Sequence, residues 1–123
     1  MLKITLTSLM VEDQARALAF YTEILGFEKQ QDFPVGEGGL RWITVSVPGN
    51  PAFQLALEPN QNPAAKAFQT AMFEQGIPMT SFESTDLDAD YAHLREKGVA
   101  FTKPPTALGP VKIAVLSDTV GNL

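Results

Sequence analysis

Few side chains in this sequence can do chemistry. There is no cysteine, which excludes disulfides, thiolate metal sites and a cysteine nucleophile together. The one histidine, His93, stands beside Leu94 on a helical stretch but off its apolar stripe. It reads as a surface residue, because a base or metal ligand needs converging partners. The spacing Asp86-x-Asp88-x-Asp90 imitates the start of a calcium loop. Tyr91, however, occupies the place of the required glycine, and Lys97 that of the bidentate glutamate. Acids in a helix's first turn, favoured by its dipole, account for the run. No Gly-x-Ser-x-Gly elbow is present, and the three-glycine turn Pro34 to Gly39 matches neither a phosphate loop nor a dinucleotide fingerprint.

What remains is a surface that could hold a small molecule. Strand alternation puts Trp42, Thr44 and Ser46 on one face, opposite Arg41, Ile43, Val45 and Val47. Gln54, Ala56 and Glu58 likewise share a face. An indole, an amide and hydroxyls together suit a flat or apolar ligand, which needs broad apolar area and a few orienting polar groups. Trp42 and Met79 are equally suited to filling core space, so both readings stay open. Glu58 would serve as a general base if buried, where desolvation raises a carboxyl pKa. Beside Pro59 at a strand end, it reads instead as a solvated carboxylate. Arg41 has the planar fork to clamp an anion, but opposite Trp42 it reads as a surface ion-pair partner.

These residues need elements to position them. Ile4 to Val11 reads as a strand, and Asp13 to Phe27 as an amphipathic helix capped by Asp13, striped by Ala17, Tyr21 and Ile24, and ended at Gly26. Strands follow over Phe27 to Phe33, Leu40 to Val47 and Phe53 to Leu57. Glu58 to Pro63 reads as a linker into a helix capped by Asn62, opened by Pro63 and closed by Gly76. The pattern then recurs: a short strand Met79–Glu83, a helix Asp86 to Gly98, a strand Val99–Thr102, a Pro104-Pro105 turn and a strand Val111–Leu116. Strand–helix–strands occurring twice is an internal duplication.

The chain has 123 residues, 45% hydrophobic and 19% charged, which fits a globular domain. A net charge of −5 argues against nucleic acid. No apolar run reaches the ~20 residues of a membrane span, and MLKITLTSLM reads as a strand, not a signal peptide. A cytoplasmic location is expected.

With the duplication, the Phe20-Tyr21…Leu25-Gly26-Phe27 block, Arg41-Trp42-Ile43-Thr44-Val45 before a Pro-Gly turn, and the Asp118…Gly121-Asn122 ending in view, the sequence resembles the vicinal oxygen chelate superfamily. That group includes glyoxalase I, bleomycin-resistance proteins and extradiol dioxygenases. The resemblance implies an α+β fold of two βαβββ modules whose curled sheets form a cup with helices outside. One domain over 1–123 is expected, with module one about 1–58, a linker and extra helix about 59–77, and module two about 78–123. A homodimer is implied. Family enzymes carry four metal ligands at cup positions that fall here on Leu6, Gln54, Met79 and a place beyond Gly121-Asn122. Leucine has no lone pair and a thioether prefers soft metals, so no metal or other cofactor is expected. The implied function is metal-independent binding of a small hydrophobic or aromatic molecule by Trp42, Gln54, Ser46, Leu6 and Met79. The alternatives are a metal-dependent lyase, isomerase or dioxygenase with a relocated divalent metal, and a ligand-free dimerisation or partner module.

Overall fold

A computed structural model describes residues 1–123. The elements run β1 (Leu6–Val11), α1 (Gln14–Ala19), a π-helical turn (Phe20–Ile24), β2 (Glu28–Pro34), β3 (Arg41–Val47), β4 (Asn50–Pro59), α2 (Pro63–Glu74), α3 (Leu87–Glu96), β5 (Phe101–Leu108) and β6 (Val111–Leu116). The first half is a βαβββ unit with strand order β1-β4-β3-β2. β1 and β4 run parallel and the other pairs antiparallel. The expected α+β class, with curled and unclosed sheets, is what the chain forms.

The helix starts follow from local chemistry. Asp13 accepts the Arg16 N–H at 2.9 Å, Asn62 that of Ala64 at 2.9 Å, and Asp86 that of Ala89 at 3.1 Å. Each cap stabilises its helix by about 1 kcal/mol. The first helix widens after Ala19: the Leu25 N–H donates to Phe20 O at 3.0 Å, one residue beyond α spacing. The widened turn lets the consecutive Phe20 and Tyr21 both reach the core. Gly26, at φ +84°, then turns the chain out of the helix.

The second half departs from the expected duplication. Met79–Glu83 forms no strand; its backbone link to another segment is the Met79 N–H donating to Leu123 O at 2.8 Å. What repeats is α3 and the antiparallel β5–β6 hairpin. Pro104 and Pro105 are not a turn but lie inside β5. They are tolerated because the register shifts between Lys103 and Thr106, so neither imide nitrogen faces a ladder acceptor. The chain reverses at Gly109-Pro110 instead. Glu58 and Pro59, expected in the linker, belong to β4.

The buried core draws on both halves. Leu9, Val11, Ile43, Val45 and Leu57 come from one face of the sheet, and Ala17, Phe20 and Tyr21 from the helix over it. Val99 and Val120 come from the second half.

A polar clasp joins the same parts. Asp118, 2% exposed, accepts the Tyr21 O–H at 2.8 Å, the Val120 and Asn122 N–H groups at 2.9 Å each, and the Asn122 side-chain amide at 2.8 Å. That amide also donates to Met10 O at 2.8 Å. Gln69 donates to the same carbonyl at 2.8 Å and to Asn122 Oδ1 at 3.1 Å, while accepting from Asn60 at 2.7 Å. No buried side-chain polar atom is left without a partner, as a low-dielectric interior requires.

Burial, and then the charge of Asp118 and its hydrogen bond, push the Tyr21 hydroxyl far above the ordinary tyrosine range. The folded state therefore keeps a proton that the unfolded chain releases. The stability this contributes is complete below about pH 10 and is lost as pH rises beyond it. Urea titrations between about pH 8 and about pH 11 should show wild type losing more stability than Tyr21→Phe. Parallel losses in the two proteins would contradict this.

Candidate functional site

The sheet's two faces are divided by the same alternation that builds the core. One face is closed by the first helix. There Gln14 bridges β3 and β4, donating to Arg41 O at 2.6 Å and Leu57 O at 2.8 Å and accepting the Arg41 N–H at 3.0 Å. The Arg41 guanidinium lies on this side. It makes a two-point pair with Asp32 (Nε–Oδ1 3.0 Å, Nη2–Oδ2 2.6 Å), with Lys29 3.7 Å away. Arg41's hydrogen bond holds the Asp32 carboxyl below the usual carboxylate range. Arg41 is thus an ion-pair residue and not part of the Trp42 face.

The other face gathers the candidate residues. Leu6 pairs with Gln54, Ser8 with Ala56 and Met10 with Glu58 across β1 and β4. Ala56 pairs with Thr44 on β3, and on β2 Gln31 pairs with Thr44, Phe33 with Trp42 and Glu28 with Ser46. Leu6, Trp42, Ser46, Gln54 and Glu58 therefore share one surface. Thr44 and Ala56 at its centre are fully buried, while Leu6 (39%) and Phe33 (50%) expose apolar area around them. Met79 is placed elsewhere, partly buried against the common core.

The polar groups on this face are oriented by one another. The Trp42 indole N–H donates to Gln31 Oε1 at 2.6 Å, and the Thr44 hydroxyl donates to Gln54 Oε1 at 2.7 Å. Gln54 donates to Pro51 O at 3.1 Å. Gln30 donates to the Ser46 hydroxyl at 3.0 Å, which donates on to Val47 O at 3.0 Å. The indole is thus held from its N–H edge.

Gln31 and Phe33 are additions that sequence reasoning did not supply. The β2 register shifts between Lys29 and Gln31, and a bulge exchanges the faces of residues on either side of it. Glu28 and Gln31 thereby fall on the same side despite their odd separation. The remaining sequence candidate stands apart: His93 is exposed on α3. A surface groove of about 360 Å³ also lies away from the Trp42 face, between the first helix (Leu18, Thr22) and Lys29 and Arg41.

A family model described as Glyoxalase/Bleomycin resistance protein/Dioxygenase superfamily matches residues 3–123. The chain belongs to this superfamily. Among the superfamily's relatives, the uncharacterized protein YurT of Bacillus subtilis (strain 168) is 50% identical over 123 residues, covering 99% of this chain and 95% of YurT. The crystal structure of UcmS2 superposes with a TM-score of 0.84 at 30% identity, covering 99% of this chain and 94% of UcmS2. TnmS3, an antibiotic binding protein from Streptomyces sp. CB03234, superposes with a TM-score of 0.75 at 30% identity, covering 99% of this chain and 91% of TnmS3.

The superfamily's metal positions are poorly furnished here. Leu6 has no donor atom, Gln54 Oε1 already accepts from Thr44, and Met79 offers a soft thioether packed against the core. No three His, Cys, Asp or Glu side chains converge. The residues present do not fit a divalent ion. No helix is long and apolar enough to cross a membrane.

Proposed function

We propose that this protein binds a small, flat, largely apolar molecule on the Trp42 face of its sheet, without a metal or other cofactor. The observation that carries this is the cross-strand pair of Trp42 and Phe33, two aromatic side chains on one face, with the indole edge held by Gln31. Affinity comes from stacking on the indole and from displaced water, and Gln54 and Ser46 orient the ligand. TnmS3 lends support, since a protein of the same fold, 30% identical to this chain, is described as an antibiotic binding protein. Leu6 borders the same surface. A second copy of the chain placed over the open face, as the superfamily resemblance implies, would enclose the ligand further.

Trp42 is the one tryptophan, so its emission reports directly on the site. Titration with a panel of planar aromatic compounds should quench or shift that emission. Calorimetry with a compound so found should show Trp42→Ala binding at least about tenfold more weakly, a loss above about 1.4 kcal/mol. Equal binding by Trp42→Ala, or unchanged emission across the whole panel, would remove this reading.

A further inference from the structure

We propose that the Trp42 face selects positively charged planar molecules, with Glu58 as the counter-ion. This rests on the binding role just given to that face.

The charges of the first half are sorted by side. β4 presents the Glu58 carboxylate on the Trp42 face, paired across from Met10, and β2 presents Glu28 there, across from Ser46. The cations of these strands, Lys29 and Arg41, both lie on the opposite side with Asp32. Lys3 lies ahead of β1, outside the strands. Arg16, on the helix, donates to Thr119 O at 2.6 Å. Two carboxylates therefore face the proposed ligand, and no cationic side chain of the four strands does.

The two carboxylates differ. Glu28 accepts from Gln30 at 3.2 Å and from the Gly49 N–H at 3.4 Å, whereas the half-buried Glu58 carboxylate has no hydrogen-bond or ion-pair partner in the protein. Its position is also the more telling. Thr44 pairs with Ala56 in the antiparallel β3–β4 ladder, and by strand alternation Trp42, two residues before Thr44, and Glu58, two residues after Ala56, lie on that same face. An indole face attracts a cation, and a free carboxylate on the same face of the sheet adds a full opposite charge. A neutral ligand covering the site would strip water from Glu58 without replacing it. A cationic one supplies the missing partner.

Proflavine and acridine test this, being planar tricycles of similar size that are respectively cationic and neutral at about pH 7.5. Acridine-9-carboxylate serves as the anionic member. Dissociation constants would be read from Trp42 quenching, and from dye fluorescence where Trp42 is replaced. Wild type should bind proflavine at least about tenfold tighter than acridine, with the carboxylate weakest. The preference should shrink as NaCl rises from about 20 to about 300 mM. Glu58→Gln should remove the preference while keeping acridine affinity, and Glu28→Gln should reduce it less. Equal binding of proflavine and acridine to wild type, or an undiminished preference in Glu58→Gln, overturns the charge selection and leaves the binding role standing. Failure of all three to bind, or full binding of both dyes by Trp42→Ala, overturns the inference together with the reading beneath it.

Discussion

Gly121→Ala should lower the melting temperature by roughly 10–20 °C, the second half coming away from the first. Gly121 sits at φ +104°, a conformation that L side chains rarely adopt. Forcing a non-glycine residue there costs about 1–3 kcal/mol. Space is the larger obstacle. A Cβ at Gly121 would lie 2.7 Å from Gln69 Nε2, 2.9 Å from Gln69 Cδ and 3.0 Å from Glu12 Oε1. Gln69 cannot swing aside, being 2% exposed and bonded to Met10, Asn122 and Asn60. Moving it would leave the Met10 and Asn122 acceptors less satisfied in a buried setting, at about 1–3 kcal/mol per orphaned group. Differential scanning calorimetry reads the outcome. A change of less than about 3 °C would mean that the Gly121 turn can relax without Gln69, against the geometry.

Asp118→Ala should be nearly as damaging, at about 3–5 kcal/mol, while Tyr21→Phe should cost only about 1 kcal/mol. Asp118 is the shared acceptor for the Tyr21 hydroxyl, two backbone N–H groups and the Asn122 amide. Its loss strands several buried donors at once. Tyr21→Phe removes one donor and leaves Asp118 with three, so little is orphaned. The two effects must couple: with Tyr21 already Phe, removing Asp118 strands one donor fewer. The double variant should therefore be more stable than the sum of the single losses implies, by about 1 kcal/mol or more. Urea unfolding of the four proteins measures this. Strict additivity would mean that the hydroxyl and carboxylate do not share one network.

Legibility in the sequence followed the range of the interactions. The caps at Asp13, Asn62 and Asp86 were readable because each bond spans two or three residues. The facing of Trp42, Thr44 and Ser46 was readable because strand period is local. The superfamily followed from motifs covering nearly the whole chain. Three features were not readable for a common reason: each depends on a partner strand. The bulge that brings Gln31 and Phe33 beside Trp42 is a property of the β2–β3 pairing, not of β2 alone. Pro104 and Pro105 read as a turn because proline cannot donate, yet the shifted β5–β6 register asks for no donor there. Met79–Glu83 has the composition of a strand but gains only one backbone link, to Leu123. The role of Gln69 was hidden because a glutamine in a helix, between Phe68 and Thr70, gives no sign of the carbonyl 59 positions earlier that it bonds.

The clasp around Asp118 also bears on how the chain comes apart. Its bonds join residues separated by 53, 97 and 112 positions, so nearly the whole polypeptide must be ordered before they can close. Contacts that span so much chain give no help while loops are still being paid for in entropy. Such bonds are expected to close late, on the native side of the folding barrier, so that their loss speeds unfolding more than it slows folding. The clasp therefore works as a latch on residence time: it does little to hasten the folded state's arrival and much to delay its departure.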